Sequence, residues 1–262
     1  NSTPQGLGAH FRFDLANNNS KTWNALAGYS NDHYGFSVEG FGRSSDGFKV
    51  LDNGGSTGFD KTNWLAKAHG SFNTSNASHR VSVKLGVTEE LSNETYLGLT
   101  DDDFELTPYR RYAGSQKDYM KNKHQLSSMT YTALFDNNIN FSATLYHNTF
   151  DRNWYKLDKV TDDNGDKNSI STILEDPETY SNAYEILKGA SSAMDNSLHI
   201  KANNRSYISQ GIQGQFGWVK TIGKTDHKLE VGLRYHTDEM DRYQWVDDYK
   251  MQEGLMMLNT AG

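Results

Sequence analysis

The sequence predicts an all-β chain that forms an antiparallel up-and-down sheet. Three observations support this. Apolar and polar residues alternate with period two in many segments, short and long connections alternate between those segments, and the composition favours strands. The 262 residues include 12% aromatic residues and 23 glycines but only 3 prolines. Aromatic side chains favour strands, glycine favours turns, and proline removes a hydrogen-bond donor from a sheet.

The alternation is clearest in residues 80–88, where the odd positions are apolar and the even positions are polar or glycine. Residues 138–150 and 227–235 repeat it, and six weaker copies begin near Phe11, Trp23, Tyr34, Trp64, Met129 and Ile208. Such a period of two marks strands with two different faces. We therefore predict about nine strands, each close to the roughly 9–11 residues of a tilted membrane strand.

The apolar rows of these strands contain no Asp, Glu, Lys or Arg, although 23% of all residues are charged. Strand charges such as Arg12, Lys84 and Arg234 lie in the opposite rows. A lipid-facing Lys or Arg at mid-bilayer costs about 2–4 kcal/mol, which gives a physical reason for this separation. A soluble β-sandwich also keeps one face apolar, so alternation alone does not distinguish the two.

The connections distinguish them better. Short turns are predicted at 30–32, 73–78, 136–138 and 223–226, and long polar stretches at 44–61, 91–123, 152–204 and from 239 onward. In an up-and-down sheet this alternation places all long stretches at one rim, although the short link at 17–19 is an exception. Sorted loops are typical of outer-membrane barrels. Nine strands would leave two open edges, so we predict a partial transmembrane β-barrel, about nine strands of a larger one.

The composition excludes several other classes of protein. Mean hydropathy is −0.79, and no apolar stretch approaches the roughly 18 residues of a membrane helix. The net charge of −7 argues against a nucleic-acid partner. No HExxH, GxSxG or P-loop pattern is present. We predict no enzymatic activity, no catalytic residue, no metal site and no cofactor.

Several segments resemble the TonB-dependent outer-membrane receptors, in particular their ferric citrate and siderophore branch. The segments are 45–48 with 52–54, 97–104 with 108–112, and 232–236 with Asp238 and Arg242. The second resembles the third extracellular loop of that branch and is the most specific of the three.

The resemblance implies a receptor in the bacterial outer membrane that imports ferric citrate or a siderophore. Such receptors pair a barrel of about 22 strands with an N-terminal plug, and the energy-coupling TonB complex drives them. We expect residues 1–262 to be part of the barrel domain, with the plug, the coupling segment and the C-terminal strands outside this chain. Partners implied are outer-membrane lipid, the ferric chelate and the coupling complex.

Ferric chelates of this kind are anionic or rich in oxygen, and the planar guanidinium group pairs well with carboxylates. The predicted ligand-binding residues are Tyr109, Arg110, Arg111, Tyr112, Arg205 and Arg242. Arg110 and Arg111 could instead pair with the neighbouring run Asp101–Asp103 and order the loop. The aromatic residues Tyr29, Trp64, Tyr146 and Trp154 are predicted to form the interfacial girdle of a barrel.

Three alternative functions remain open from the sequence. The chain could belong to a passive porin, to a receptor of the same family for a glycan or cobalamin, or to a soluble β-sandwich that binds sugars. A plug upstream of the barrel would argue against the porin, and recovery in the aqueous fraction would favour the sandwich.

Overall fold

The structure is a computed structural model that describes residues 3–262. Its strands are β1 (Gly6–Ala16), β2 (Ser20–Ser30), β3 (Tyr34–Ser45), β4 (Val50–Leu51), β5 (Phe59–Asn73), β6 (Ala77–Ser92), β7 (Arg110–Arg111), β8 (Tyr119–Phe135), β9 (Ile139–Thr161), β10 (Lys167–Ser169), β11 (Leu198–Ile222), β12 (Thr225–Gln252) and β13 (Leu255–Thr260). Its helices are α1 (Asp101–Leu106), α2 (Ile170–Glu175) and α3 (Ser181–Lys188), with a 3-10 turn at Ala113–Ser115. Among these residues no helix is both long enough and apolar enough to cross a membrane.

Nine long strands follow one another in a single antiparallel up-and-down sheet, in the order β1-β2-β3-β5-β6-β8-β9-β11-β12. The short strand β13 pairs with the end of β12, and β10 pairs with β9. The strands β4 and β7 form a small parallel pair within the long loops. The predicted fold, a partial up-and-down β-barrel with about nine strands, is confirmed.

The two rims of the sheet differ as predicted. The turns after β2, β5, β8 and β11 are tight and lie at one rim, which we call the short-turn rim. The other rim, the long-loop rim, carries the connections at 46–58, 93–118 and 162–197. The long loops therefore share one end of the sheet.

The predicted limits of three long stretches are wrong. Residues 119–123 already belong to β8. Residues 152–161 and 198–204 continue β9 and β11, and residues 239–252 continue β12 to a tight turn at Glu253 and Gly254. Both turn residues have positive φ, and β13 follows them. Polar and charged residues are frequent in these strand ends and concealed them, although buried apolar residues such as Leu157 and Ile200 alternate with them.

The alternation separates the sheet into an apolar and a polar face. One register row of the apolar face runs through Phe36, Ala68, Val83, Met129, Leu145, Ile212 and Tyr235. Its large members are exposed, with Phe36 and Leu145 each at 52%. A soluble sheet would cover such a face, because exposed apolar patches of this size mark an interaction surface.

The apolar band crosses the sheet diagonally. The register row described above contains Tyr29 of β2 and Tyr235 of β12. In β2, Tyr29 is the residue of the apolar band that lies nearest the short-turn rim. In β12, Tyr235 is the residue of the apolar band that lies nearest the long-loop rim. The band is therefore displaced by roughly six residues over seven strand spacings, which corresponds to strands tilted by about 30° from the perpendicular to the band. Strands of membrane barrels tilt by roughly 35–45°.

A compact core lies outside the apolar band, at the long-loop rim. Its fully buried side chains come from the outer parts of β9, β11 and β12 and from the loop helices: Leu157, Val160, Ile173, Ile186, Leu187, Leu198, Ile200 and Met251. The long loops are thus folded onto the extended strand ends and form an ordered cap, which we call the loop core.

Candidate functional site

A row of arginines crosses the polar face near the long-loop rim. Arg205 lies directly opposite Arg152 in β9 and directly opposite Arg242 in β12. Registered partners project from the same side of a sheet, and neighbouring strands lie about 4.8 Å apart. Three guanidinium groups therefore stand side by side, and we call them the arginine row. The predicted residues Arg205 and Arg242 belong to it, and Arg152 was not predicted.

The contacts of the arginine row are aromatic rather than acidic. Arg205 donates from Nη1 to the Tyr207 hydroxyl at 3.2 Å, and the Arg152 guanidinium lies 5.5 Å from the centre of the Trp154 ring. None of the three makes an ion pair within the part of the chain that the structure describes. The nearest acid of the same register row, Glu90, pairs with Lys61 at 3.0 Å. The row is thus an uncompensated cluster of positive charge.

Arg110 lies in a different environment, at the centre of an ion-pair network between loops. Its Nε and Nη2 bind both carboxylate oxygens of Asp52 at 2.8 and 3.0 Å, and its Nη1 binds Asp103 at 3.0 Å. This joins the loop after β3 to the loop after β6. The contact with Asp103 agrees with the alternative in which the arginines order the loop. A ligand contact by Arg110 stays a prediction.

Asp103 collects further donors on its second oxygen. The hydroxyls of Tyr112 and Tyr184 each donate to Oδ2 at 2.7 Å. Burial opposes ionisation of this carboxyl, but the two hydroxyls and the charge of Arg110 outweigh it and hold the pKa of Asp103 below its usual value. Tyr112 is fully buried in this network. Its predicted ligand role, also untested, would require the loops to open.

Arg111 and Tyr109 flank this network. Arg111 donates to the carbonyl oxygen of Pro108 at 2.9 Å, and burial lowers its pKa. Tyr109 is 61% exposed, and its ring packs edge-on against Phe48 at 5.8 Å. Of the four loop residues predicted to bind a ligand, Tyr109 is the one most open to solvent.

A buried carboxyl anchors the loop after β6 to the sheet. Asp118 accepts hydrogen bonds from the backbone N–H of Leu157 at 2.9 Å and of Tyr96 at 3.2 Å. Burial raises its pKa to about 7, against the effect of these donors and of Lys156. The loop core therefore contains a group that titrates near neutral pH.

The structure corrects two members of the predicted aromatic girdle. Tyr29 and Trp64 lie on the apolar face, but Tyr146 and Trp154 lie on the polar face. Tyr146 reaches across β11 to Nδ1 of His236 at 2.5 Å and accepts from Arg234 at 2.9 Å. Gly211 lies between them and provides the space, since a Cβ there would come within 2.7 Å of the Tyr146 hydroxyl. For Tyr146 the alternation of residues 138–150 already indicated the polar row, because Tyr146 follows the apolar residue Leu145 in that pattern.

Sequence reasoning missed Arg152, Tyr207 and Trp154 as neighbours of the predicted arginines. Counting residues back from the tight turn at 223–224 would have placed Arg242 opposite Arg205 and Tyr207 two residues from Arg205 on the same face. No such count reaches Arg152, because the link between β9 and β11 has 36 residues, 162–197. Among residues 3–262, no group of three or more His, Asp or Glu is placed to hold a metal ion.

No protein-family model matches the chain, and no curated protein sequence matches it. Its fold is similar to the crystal structure of the ferric citrate transporter FecA in the unliganded form, with a TM-score of 0.62 and 14% sequence identity. The alignment covers 95% of this chain and 31% of the transporter. At this identity the likeness supports a β-barrel architecture and leaves the cargo undetermined.

Proposed function

We propose that this chain forms part of a TonB-dependent receptor in the bacterial outer membrane, which imports a ferric chelate of the citrate or siderophore type. The observation that carries the proposal is the exposed apolar band that runs diagonally across the sheet. Strands tilted by about 30° from the perpendicular to the band are what a barrel requires to keep its apolar girdle level in a bilayer.

The two other surfaces support a receptor. The polar face would line a wet interior, and its uncompensated arginines suit an anionic cargo. The ordered loops at one rim would form the extracellular mouth, where Tyr109 is exposed. Capture by the loops and passage through the lumen need no covalent chemistry, so we propose a transporter rather than an enzyme.

The ferric citrate transporter shares only the fold of this chain, so the choice of a ferric chelate over the other cargoes is based on the resemblance of residues 97–104 and 108–112 to a loop of the ferric citrate branch. The chain spans only 31% of that protein, so energy coupling and the contact with the TonB complex are parts of the proposal that lie outside these residues. A passive porin is the alternative, since it would use the same barrel.

The test is uptake of radiolabelled ferric citrate by cells with and without the intact gene, together with the location of the protein in fractionated cells. We expect the protein in the outer membrane and gene-dependent uptake that stops when the inner membrane is de-energised. Uptake that continues in de-energised cells would indicate a passive channel. Recovery of the protein in the aqueous fraction would overturn the membrane assignment.

A further inference from the structure

We propose that the outer wall of the sheet binds a glycolipid of the outer leaflet. Its acyl chains lie on the apolar band, and its uncharged sugars occupy a polar hollow between that band and the loop core. This inference concerns the opposite face from the cargo. It rests on the proposed function only for the location of the chain in an outer membrane.

Two hollows adjoin on the face that carries the apolar band. The lower hollow lies at the edge of the band, and its apolar floor includes Met129, Leu145 and Ile212. The upper hollow lies closer to the long-loop rim and has a volume of about 680 Å³. One register row of its lining consists of Lys121, Asn153, Asn204 and Tyr243. Each of these lies an even number of residues from the band residue of its own strand, so the row projects from the same face as the band.

The loop core overhangs the upper hollow. Tyr155 and Ala202 lie opposite each other in the next outward-facing register row, and Leu157 and Ile200 in the one after it. All four belong to the same face, and the loops bury them. The outer wall is therefore stepped, and the upper hollow lies beneath the step.

Two unpaired amide atoms meet in the upper hollow. Asn153 donates from Nδ2 to the Tyr119 hydroxyl at 3.3 Å, but its Oδ1 has no partner. Asn204 lies directly opposite and is 8% exposed, and its Nδ2 has no partner either. A hydroxyl group can accept from this Nδ2 and donate to that Oδ1, whereas an ionised phosphate oxygen only accepts and an ammonium group only donates. The pair therefore favours a sugar hydroxyl.

The charges of the upper hollow also favour an uncharged ligand. Lys123 pairs with Glu89 at 2.9 Å, and Asp151 accepts a hydrogen bond from Ser206 at 2.6 Å. Cations and acids are thus mixed, and no cluster of positive charge is present to hold a phosphate. Tyr243 is 56% exposed, and its ring offers an apolar surface for the C–H face of a sugar.

The height of the polar stretch excludes a phospholipid headgroup. In β9 the polar residues of this face begin at His147, and Asn153 follows six residues later. Six residues of strand span about 20 Å, or about 17 Å in height at a tilt of about 30°. The polar layer of one leaflet is only about 5–8 Å thick. A phospholipid headgroup would therefore end below the two asparagines, whereas an oligosaccharide headgroup reaches them.

The test is native mass spectrometry of the complete protein released from detergent. The probes are lipopolysaccharide with its core oligosaccharide, the same lipid after dephosphorylation, lipid A without core sugars, and phosphatidylethanolamine. The variants are Asn153→Ala, Asn204→Ala and the double variant. The control is Asn203→Ala, since that neighbour also has an unpaired Oδ1 but projects from the polar face. A thermal melt without lipid verifies that each variant is folded.

We expect the core-bearing lipid to bind more tightly than lipid A and phosphatidylethanolamine, both before and after dephosphorylation. Loss of one hydrogen bond should weaken its binding roughly 3- to 10-fold in each single variant, and further in the double variant. Asn203→Ala should bind like the wild type. Without lipid, Asn204→Ala should melt no lower than the wild type, because it removes an unpaired buried donor.

The inference is overturned if the folded double variant binds the core-bearing lipid as the wild type does, or if no probe binds. It is also overturned if lipid A or phosphatidylethanolamine binds equally tightly, or if dephosphorylation abolishes binding. A lower melting temperature of lipid-free Asn204→Ala would show a structural asparagine and would contradict its role in binding.

Failure of this inference can be separated from failure of the proposed function. Outer-membrane location and gene-dependent chelate uptake, without any lipid selectivity, would reject the glycolipid site and keep the receptor. Lipid selectivity that depends on Asn153 and Asn204, without chelate uptake, would keep the site and reject the cargo.

Discussion

Asp103 is the residue on which most of the loop contacts converge. One oxygen binds Arg110, the other accepts from Tyr112 and Tyr184, and its own backbone N–H donates to the Thr100 side chain at the start of α1. Through these contacts a single carboxylate joins the loop after β6 to α3, and Arg110 extends the network to Asp52. A charged hydrogen-bond centre of this kind stabilises the loops only while every partner is present.

We therefore expect Asp103→Ala to loosen the loop core by about 3 kcal/mol, the cost of losing charge-assisted hydrogen bonds and leaving Arg110 half paired. Hydrogen exchange of 93–118 and 170–188 in the complete protein measures this. Asp101→Ala is the matched control, because that exposed aspartate lies on the same helix. Equal protection in both variants would contradict the role of Asp103.

Asp118 makes the loop core sensitive to pH, and the sign follows from its raised pKa. The folded carboxyl keeps its proton up to about pH 7, whereas an unfolded one loses it near 3.8. The native state therefore binds more protons between these values, so stability falls as pH rises from about 4 to 7 and is level above that.

We expect the backbone amides of Leu157 and Tyr96 to exchange faster at pH 7.5 than at pH 5, after correction for the intrinsic rate. In Asp118→Asn, which has no titrating group here, this pH dependence should disappear. A dependence that persists in the asparagine variant would assign the effect to another group.

At the scale of elements, the contact between β9 and β12 depends on a missing side chain in the strand between them. Tyr146, Gly211 and His236 lie in one register row, and the Tyr146 ring passes over Gly211 to reach His236. The strand order alone would keep the side chains of β9 and β12 two spacings apart. Because Gly211 has no side chain, Tyr146 and His236 form a direct hydrogen bond although their strands are not neighbours.

Replacing Gly211 with alanine should cost about 1–3 kcal/mol in the free energy of unfolding, the usual cost of overpacking. The added Cβ would come within 2.4 Å of the Tyr235 carbonyl oxygen as well as 2.7 Å of the Tyr146 hydroxyl. Gly232→Ala is the control, since its nearest neighbour would be 3.8 Å away. Urea unfolding in lipid vesicles gives both values, and an equal cost for the two changes would disprove the steric argument.

At the scale of the whole molecule, the apolar band crosses all the long strands, and the long loops lie together at one rim of the sheet. Ala143 lies inside the band in β9, and Ser142, its neighbour in sequence, lies on the polar face. If the band contacts hydrocarbon, adjacent residues of one strand should respond to the same charge in opposite ways.

Ala143→Lys should lower the free energy of unfolding from lipid vesicles by about 2–4 kcal/mol, the cost of a lysine facing the middle of a bilayer. Ser142→Lys should change it by less than about 0.5 kcal/mol. A similar effect of both substitutions would mean that the two faces do not meet different surroundings, and the membrane assignment would fail.

Much of the fold could be predicted because successive residues of a strand lie on opposite faces, so the alternation of apolar and polar residues shows that the two faces differ. The alternation at 80–88 and 227–235 marks strands that are exposed to different media on their two faces, and the four tight turns divide the chain into hairpins. The strand ends beyond the band, such as 152–161 and 239–252, show this contrast less clearly, because charged residues are frequent there. Their buried apolar residues, such as Leu157 and Met251, face the loop core, whose position the sequence does not reveal.

The sequence by itself determined the strand number, the two faces and the rim that bears the long loops, because each is a local pattern repeated along the chain. Only the tertiary structure decided which distant residues meet. It placed Arg152 beside Arg205 across a 36-residue loop, buried Tyr112 beneath Asp103 and brought Tyr146 to His236. The physical reason is that register between strands joined by long loops is chosen by the packing of the whole sheet, which no short stretch of sequence specifies.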